Sequence, residues 1–150
     1  MRKPSTQLAI AAAVIASASA AVPAADAAVP ATGTWRGDLT HVFPPVYPGG
    51  EPITYKSKLV ITEFEGHIQT VVGTVRMNCP ALVAIRDVRV LQSWRSGRGP
   101  RVSRRGSFAF HADGAYFHGT LSKSSTIGGA SATYGEDCHG VGRFNLQRRW

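Results

Sequence analysis

Five arginines within eleven positions are the side chains best placed to bind a ligand by charge. No acidic residue lies between Asp87 and Asp113, so this basic cluster has no neighbouring carboxylate in the sequence. Guanidinium groups bind phosphate and similar anions through two parallel hydrogen bonds, which makes anion binding the expected chemistry. The alternative is a solvated, solubilising loop. The predicted anion-binding residues are Arg95, Arg98, Arg101, Arg104 and Arg105.

A second candidate site is apolar and lies in and beside the proline-rich segment 44–52. Proline lacks the N–H that a sheet ladder requires, so this segment is predicted to be a loop that carries apolar side chains. Apolar groups bordered by a few polar ones are typical of a small-molecule pocket. The alternative is a loop that only packs over one end of the fold. The predicted ligand-binding residues are Phe43, Val46 and Tyr47.

Catalytic and metal chemistry have less support. Serine is frequent, but there is no G-x-S-x-G motif and no paired-acid spacing, so no catalytic residue is predicted. His111 and His118 fall on the exposed face of a predicted hairpin, where two imidazoles without a third ligand make a weak metal site. We therefore expect no metal and no cofactor, and the sequence favours a binding protein over an enzyme.

The first 27 residues have the pattern of a secretory signal peptide. Arg2 and Lys3 precede an apolar run at 8–16, and small residues follow it. No later stretch approaches the roughly 20 apolar residues that a transmembrane helix needs. We expect residues 1–27 to be the signal and residues 28–150 to form a single secreted, extracellular β domain.

Charge and cysteine content agree with export. Without the signal, fifteen basic residues face eight acidic ones, a net charge of +7, which attracts anionic surfaces and polymers. Few aromatic residues accompany the arginines, so nucleic acid is not an expected partner. Cys79 and Cys138 are the only cysteines, and an oxidising export route predicts one disulfide between them. The alternative, a thiolate metal or redox site, lacks a C-x-x-C pair.

The elements that position these groups are predicted to be strands. Gly142, Phe144 and Leu146 alternate with polar residues, a period of two that is typical of a strand with one buried face. Asp113-Gly114 indicates a two-residue hairpin turn. Eight strands are predicted near residues 32–41, 54–64, 67–78, 82–94, 101–111, 115–121, 126–134 and 140–149.

Eight sequential strands with short turns predict a small antiparallel up-and-down barrel, and a β-sandwich is the alternative. In the barrel, the third strand ends and the eighth begins at the same end, which is where Cys79 and Cys138 fall. The same order places the proline-rich loop at that end, the predicted mouth. The arginine cluster lies at the opposite end.

The two ends of the domain resemble those of the calycin barrels, a group that includes lipocalins, fatty-acid-binding proteins and avidins. Gly33-Thr34-Trp35 opens the first strand, and Arg148 and Arg149 close the last. The resemblance implies a tryptophan that plugs the closed end of the barrel, with an arginine packed over it. Arg36-Gly37-Asp38 departs from the avidin pattern, so biotin binding is not implied.

Together these features predict a secreted, noncatalytic β-barrel protein that binds a small apolar or amphipathic ligand at its proline-rich mouth. One alternative is a cationic surface-interaction or inhibitor-like protein that acts through its arginine-rich end and binds an anionic surface or polymer. Another is an enzyme without a recognisable motif.

Overall fold

Eight antiparallel strands form one sheet in the described residues, 32–45 and 47–149 of a computed structural model. The strands are β1 (Gly33–Phe43), β2 (Ile53–Phe64), β3 (His67–Cys79), β4 (Ala84–Ser93), β5 (Ser107–Ala112), β6 (Ala115–Leu121), β7 (Ser125–Tyr134) and β8 (Cys138–Arg149). Their order in the sheet is β4-β3-β2-β1-β8-β7-β6-β5, which confirms the all-β prediction and the up-and-down connectivity. The predicted signal peptide lies outside the described residues. Within them, no helix is long and apolar enough to cross a membrane.

Burial alternates along β8 as the sequence predicts. Phe144 and Leu146 are buried, whereas Arg143, Asn145 and Gln147 are exposed. Successive side chains of a strand point to opposite faces, so this pattern buries one face of the sheet and hydrates the other. The buried faces meet in one hydrophobic core, whose largest members include Trp35, Leu39, Leu59, Ile61, Val71, Phe117 and Leu146.

Two hairpins turn through pairs of residues with positive φ. Asp113 and Gly114 have φ values of 48° and 83°, and Glu65 and Gly66 have values of 50° and 79°. Two consecutive positive φ angles are characteristic of the type I′ turn, whose twist matches that of the flanking strands. The hairpin predicted from Asp113-Gly114 is therefore present, and a second hairpin turns at Glu65-Gly66.

The end of β3 lies directly against the start of β8, so the sheet is rolled. Asn78 pairs with His139, and the Cys79–Cys138 disulfide beside them joins Cα atoms 4.2 Å apart. Gly140 permits this approach, because a Cβ there would lie 1.8 Å from the carbonyl oxygen of Arg76. The predicted disulfide is confirmed.

The edge strands β4 and β5 are not joined by a backbone ladder in the described residues, so pairing does not close the barrel. The ring of Trp94, which follows β4, contacts that of Phe110 on β5, with centroids 5.7 Å apart. The fifth strand begins at residue 107, and its predicted start at residue 101 is wrong. Residues 100–102 instead hydrogen-bond to the β2–β3 hairpin, where the Val102 N–H donates to the Gly66 carbonyl at 2.8 Å.

Candidate functional site

A groove of about 490 Å³ opens at the predicted mouth, and we call it the mouth groove. It lies between the β1–β2 hairpin and the turn that joins β3 to β4. The hairpin supplies Phe43, Pro44, Pro45 and aromatic and aliphatic residues of β2, so this wall is mainly apolar. The residues that line the groove include Phe43, Pro44, Tyr55, Asn78, Val83 and Ile85.

Aromatic rings build the first wall of the groove. The rings of Phe43 and Tyr55 are neighbours, with centroids 5.6 Å apart. The Arg76 guanidinium carbon lies 5.0 Å from the centroid of the Tyr55 ring and brings a positive charge behind the wall. Such a cation–π contact is attractive by about 0.5 to 1 kcal/mol at an exposed site. The hairpin therefore presents an aromatic surface with a basic group next to it.

The second wall is a tight turn next to the disulfide. Cys79 is followed by a 3₁₀ turn at Pro80–Leu82, and Val83 then has a positive φ of 49°. A β-branched residue in this left-handed region is an outlier, at a cost on the order of 1 to 3 kcal/mol. Val83 is nevertheless 80% exposed, so no packing of its side chain explains the choice of valine. Such strain is found where surrounding structure fixes the backbone, here the adjacent disulfide.

A buried histidine lies behind the aromatic wall. His41 is fully buried, and its ring centroid is 6.0 Å from that of Phe43. The Arg76 backbone N–H donates to His41 Nε2 at 3.1 Å, which places the proton of the neutral ring on Nδ1. Burial lowers the pKa of His41, and the Arg76 charge lowers it further while the Asp87 charge partly opposes this, so the neutral ring is favoured.

The predicted ligand-binding residues have different positions relative to the mouth groove. Phe43 lines it. Tyr47 is 76% exposed on the loop beside it and is not part of its walls, and Val46 lies outside the described residues. The sequence analysis missed Tyr55, Val83 and Ile85. Their contribution depends on the crossing of β3 onto β8, which no local pattern indicates.

The predicted anion-binding residues lie at the opposite end, on the connection between β4 and β5. We call residues 95–105 the arginine loop. All five of its guanidinium groups belong to exposed residues, and none forms an ion pair with another described residue. Arg101 and Arg104 line a cavity of about 720 Å³. Its polar lining includes His67, Glu65, and the hydroxyls of Ser103 and Ser107, which are 2.7 Å apart.

Trp35 and Arg148 pack together at the end of the sheet beneath the arginine loop. Trp35 is fully buried, and the Arg148 guanidinium carbon lies 5.7 Å from its ring centroid. Arg148 Nη2 also donates to the Thr32 carbonyl at 2.7 Å. Arg148 is therefore a structural residue at this end of the sheet, whereas Arg149 is exposed.

A buried carboxyl group lies at the same end. Glu63 is only 2% exposed, and its Oε1 accepts a hydrogen bond from the Gly66 N–H. Its Oε2 has no hydrogen-bond partner among the described residues. Burial raises the pKa of Glu63, while the Gly66 hydrogen bond and the nearby charges of His67 and Arg148 oppose this rise.

The exposed histidines do not form a metal centre with other residues. His111 and His118 flank Tyr116, with ring centroids 4.9 and 5.7 Å from its own. No group of three or more His, Cys, Asp or Glu side chains could hold a metal ion in residues 32–45 and 47–149. The rings of His111, Tyr116 and His118 form a row on the outer face of the sheet.

Comparisons of this chain with protein-family models, with curated proteins and with solved structures found no match. The function must accordingly be inferred from the geometry of the two ends.

Proposed function

We propose that the mouth groove binds a small apolar or amphipathic ligand, and that the protein is a noncatalytic binding protein. The observation that carries this proposal is the strained, exposed Val83 on an apolar wall opposite Phe43 and Tyr55. The groove volume of about 490 Å³ lies in the usual range of ligand pockets. An apolar ligand would fill the groove, and the Asn78 amide would offer a hydrogen bond to a polar end.

The test is binding of an uncharged apolar fluorophore, N-phenyl-1-naphthylamine, to Val83→Gly. Glycine adopts positive φ freely, so this variant should keep or gain stability, by up to about 1 kcal/mol, while it loses part of one groove wall. We expect probe affinity to fall at least threefold, on the order of 0.7 kcal/mol. Phe43→Ala should weaken binding as well.

The matched control is Val141→Gly, at an exposed valine on the outer face of β8. It should lose some stability, because glycine weakens a strand interior, and it should keep probe affinity. Wild-type affinity in both Val83→Gly and Phe43→Ala would show that the groove is not the binding site.

A second candidate function is favoured by the arginine loop, whose exposed guanidinium groups have no ion-pair partner among the described residues. We propose that it binds an anionic polymer that carries phosphate or sulfate groups. Retention on immobilised heparin should fall steeply with salt, since charges are screened over about 8 Å at physiological ionic strength and about 3 Å at 1 M. Arg98→Glu/Arg101→Glu/Arg104→Glu should abolish retention and leave probe binding unchanged. Unchanged retention would contradict this candidate.

We also infer that residues 1–27 direct export, since they have a basic start, an apolar run and small residues at the expected cleavage region. The disulfide supports this inference because such bonds persist in oxidising compartments. N-terminal sequencing of protein recovered from the medium should begin at Ala28 if cleavage follows Ala27. Recovery of the uncleaved chain from the cell interior would contradict the inference.

A further inference from the structure

Strand β4 has a free edge. It pairs with β3 along its whole length, from Ala84 to Ser93, without a bulge. The Trp94 N–H donates to the Gln69 carbonyl of β3, so even-numbered N–H groups of β4 point to β3 and odd-numbered ones point away. No ladder in the described residues uses that outer edge. Among residues 32–45 and 47–149, the one acceptor found on that edge is Asp113 Oδ2, which accepts from the Leu91 N–H at 2.8 Å.

An unprotected edge strand is a template for another strand. Natural sheets commonly block their edges with proline, bulges, covering segments or charged side chains, especially lysine. β4 contains neither proline nor glycine, its register is unbroken, and the charges on its outer face, Asp87 and Arg89, are of opposite sign. The backbone groups of residues 85, 87 and 89 are therefore available for pairing.

The side chains that flank this edge are self-complementary. On the outer face, β4 presents Ile85, Asp87, Arg89 and Leu91, which read as apolar, acidic, basic and apolar. An antiparallel copy centred on Val88 places each Asp87 opposite the other chain's Arg89, and each Ile85 opposite the other chain's Leu91. Cross-strand pairs of this kind are the ones that stabilise sheets.

We propose that two copies of this chain associate through β4 in this register. Residues 87 and 89 of the two chains exchange hydrogen bonds, and Val88 faces its own copy as a non-hydrogen-bonded pair. A shift of two residues sets Asp87 against Asp87 in one direction and Arg89 against Arg89 in the other. Charge repulsion therefore selects the proposed register over its nearest competitors.

The dimer also covers exposed apolar surface. Val60, Val72 and Leu91 are cross-strand neighbours on the outer face, and Leu91 is 76% exposed. In the proposed pairing, Ile85 of the second copy, which is 38% exposed in the single chain, continues this row beside Leu91. Asp113 caps the Leu91 N–H, so hydrogen bonding between the copies is limited to residues 87 and 89.

Sedimentation equilibrium of the full, disulfide-bonded chain tests the proposal. We expect a reversible monomer–dimer equilibrium in the wild type. Asp87→Arg sets arginine opposite Arg89, and Arg89→Asp sets aspartate opposite Asp87. Each variant alone should weaken dimerisation about 100-fold or more, because both central pairs become like-charged.

Complementation makes the test specific. An equimolar mixture of Asp87→Arg and Arg89→Asp chains restores both opposite-charge pairs, so the mixture should dimerise as the wild type does. The double variant Asp87→Arg/Arg89→Asp should also dimerise. Asp87 bonds Arg76 at 3.2 Å within the chain, so a loss caused only by misfolding of Asp87→Arg would not be rescued in the mixture.

The matched control is Arg143→Asp, which makes the same charge change as Arg89→Asp at an exposed position of β8. It should leave dimerisation unchanged. The proposal is overturned if the wild type is monomeric up to about 1 mM. It is equally overturned if the single variants dimerise normally, or if the mixture stays monomeric.

Discussion

The mouth groove and the arginine loop lie at opposite ends of the rolled sheet and are held by different contacts. At the mouth, a covalent bond between Cys79 and Cys138 fixes the turn that carries Val83. At the other end, backbone hydrogen bonds hold the loop against the β2–β3 hairpin, including one from the Ile68 N–H to the Pro100 carbonyl at 2.8 Å. Both ends thus have a positioned segment, but only the mouth uses a crosslink.

Backbone strain is distributed unequally between the two ends. On and beside the arginine loop, the positive φ angles belong to Gly97 and Gly106, for which they are unstrained. In the turn at the mouth, the corresponding angle belongs to Val83. At the arginine end Glu65 also has a positive φ, of 50°, but it lies in a type I′ hairpin turn, whereas Val83 is β-branched and bears the greater cost. Because no side-chain packing offsets the strain at Val83, the mouth is the first place to look for function.

The largest expected effect separates stability from function. Trp35→Ala should lower the free energy of unfolding by about 3 to 5 kcal/mol, because it truncates a fully buried ring of the core. Denaturant unfolding measures this change. If the two ends act independently, probe binding at the mouth should survive below the unfolding transition. Loss of probe binding in the folded variant would show that the ends are coupled.

The next variant should lower stability and should weaken binding at the mouth alone. Cys79→Ser/Cys138→Ser opens a loop with a sequence separation of 59 residues, and the chain-entropy estimate for such a crosslink is about 4 kcal/mol. The released Val83 turn should also weaken probe binding, whereas heparin retention should not change. Equal losses at both ends in the folded variant would contradict the assignment of the disulfide to the mouth alone.

The features that the sequence predicted correctly are local or pairwise. The alternation of Phe144 and Leu146 needs only a period of two, and the Asp113-Gly114 turn needs only two residues that tolerate positive φ. The disulfide was predicted from the two cysteines of the chain and an expected export route. The strands and their connectivity could be predicted for the same reason, because both depend on local patterns and short turns.

The features that were missed depend on distant parts of the chain. The register of β2 on β3 is set by a bulge at Thr62 and Glu63, which the run of apolar residues from 59 to 61 does not reveal. The Val83 wall of the groove exists because β3 leaves β2 and lies on β8 at Gly140. A glycine that admits a neighbouring backbone has no distinctive sequence pattern.

Two buried titratable groups, one at each end, predict opposite responses to pH. Glu63, at the arginine end, has a pKa raised above its ordinary value of 4.5 by burial. The favourable contribution of Glu63 to the free energy of unfolding is complete below pH 4.5. It is lost as pH rises through the raised pKa, since the folded state binds the proton more tightly. Glu63→Gln keeps the acceptor for the Gly66 N–H and should be more stable than the wild type at pH 7. The difference in unfolding free energy should vanish near pH 4, and a constant difference would contradict this account.

The smallest expected effect concerns His41, behind the mouth groove. Burial lowers its pKa below the ordinary value of 6.5, so its contribution to stability is present above pH 6.5 and is lost as pH falls through the lowered pKa. Protonation would also remove the acceptor for the Arg76 N–H. His41→Gln retains an acceptor and should flatten the stability profile on the acidic side of pH 6.5, where each pKa unit of the shift is worth about 1.4 kcal/mol. Urea unfolding between pH 5 and pH 7 measures the slope. Because the groove wall packs against this ring, probe affinity should decline only as pH falls through the lowered pKa, where the folded protein takes up the proton, in the wild type and not in His41→Gln. A decline in both would assign the pH dependence to another group.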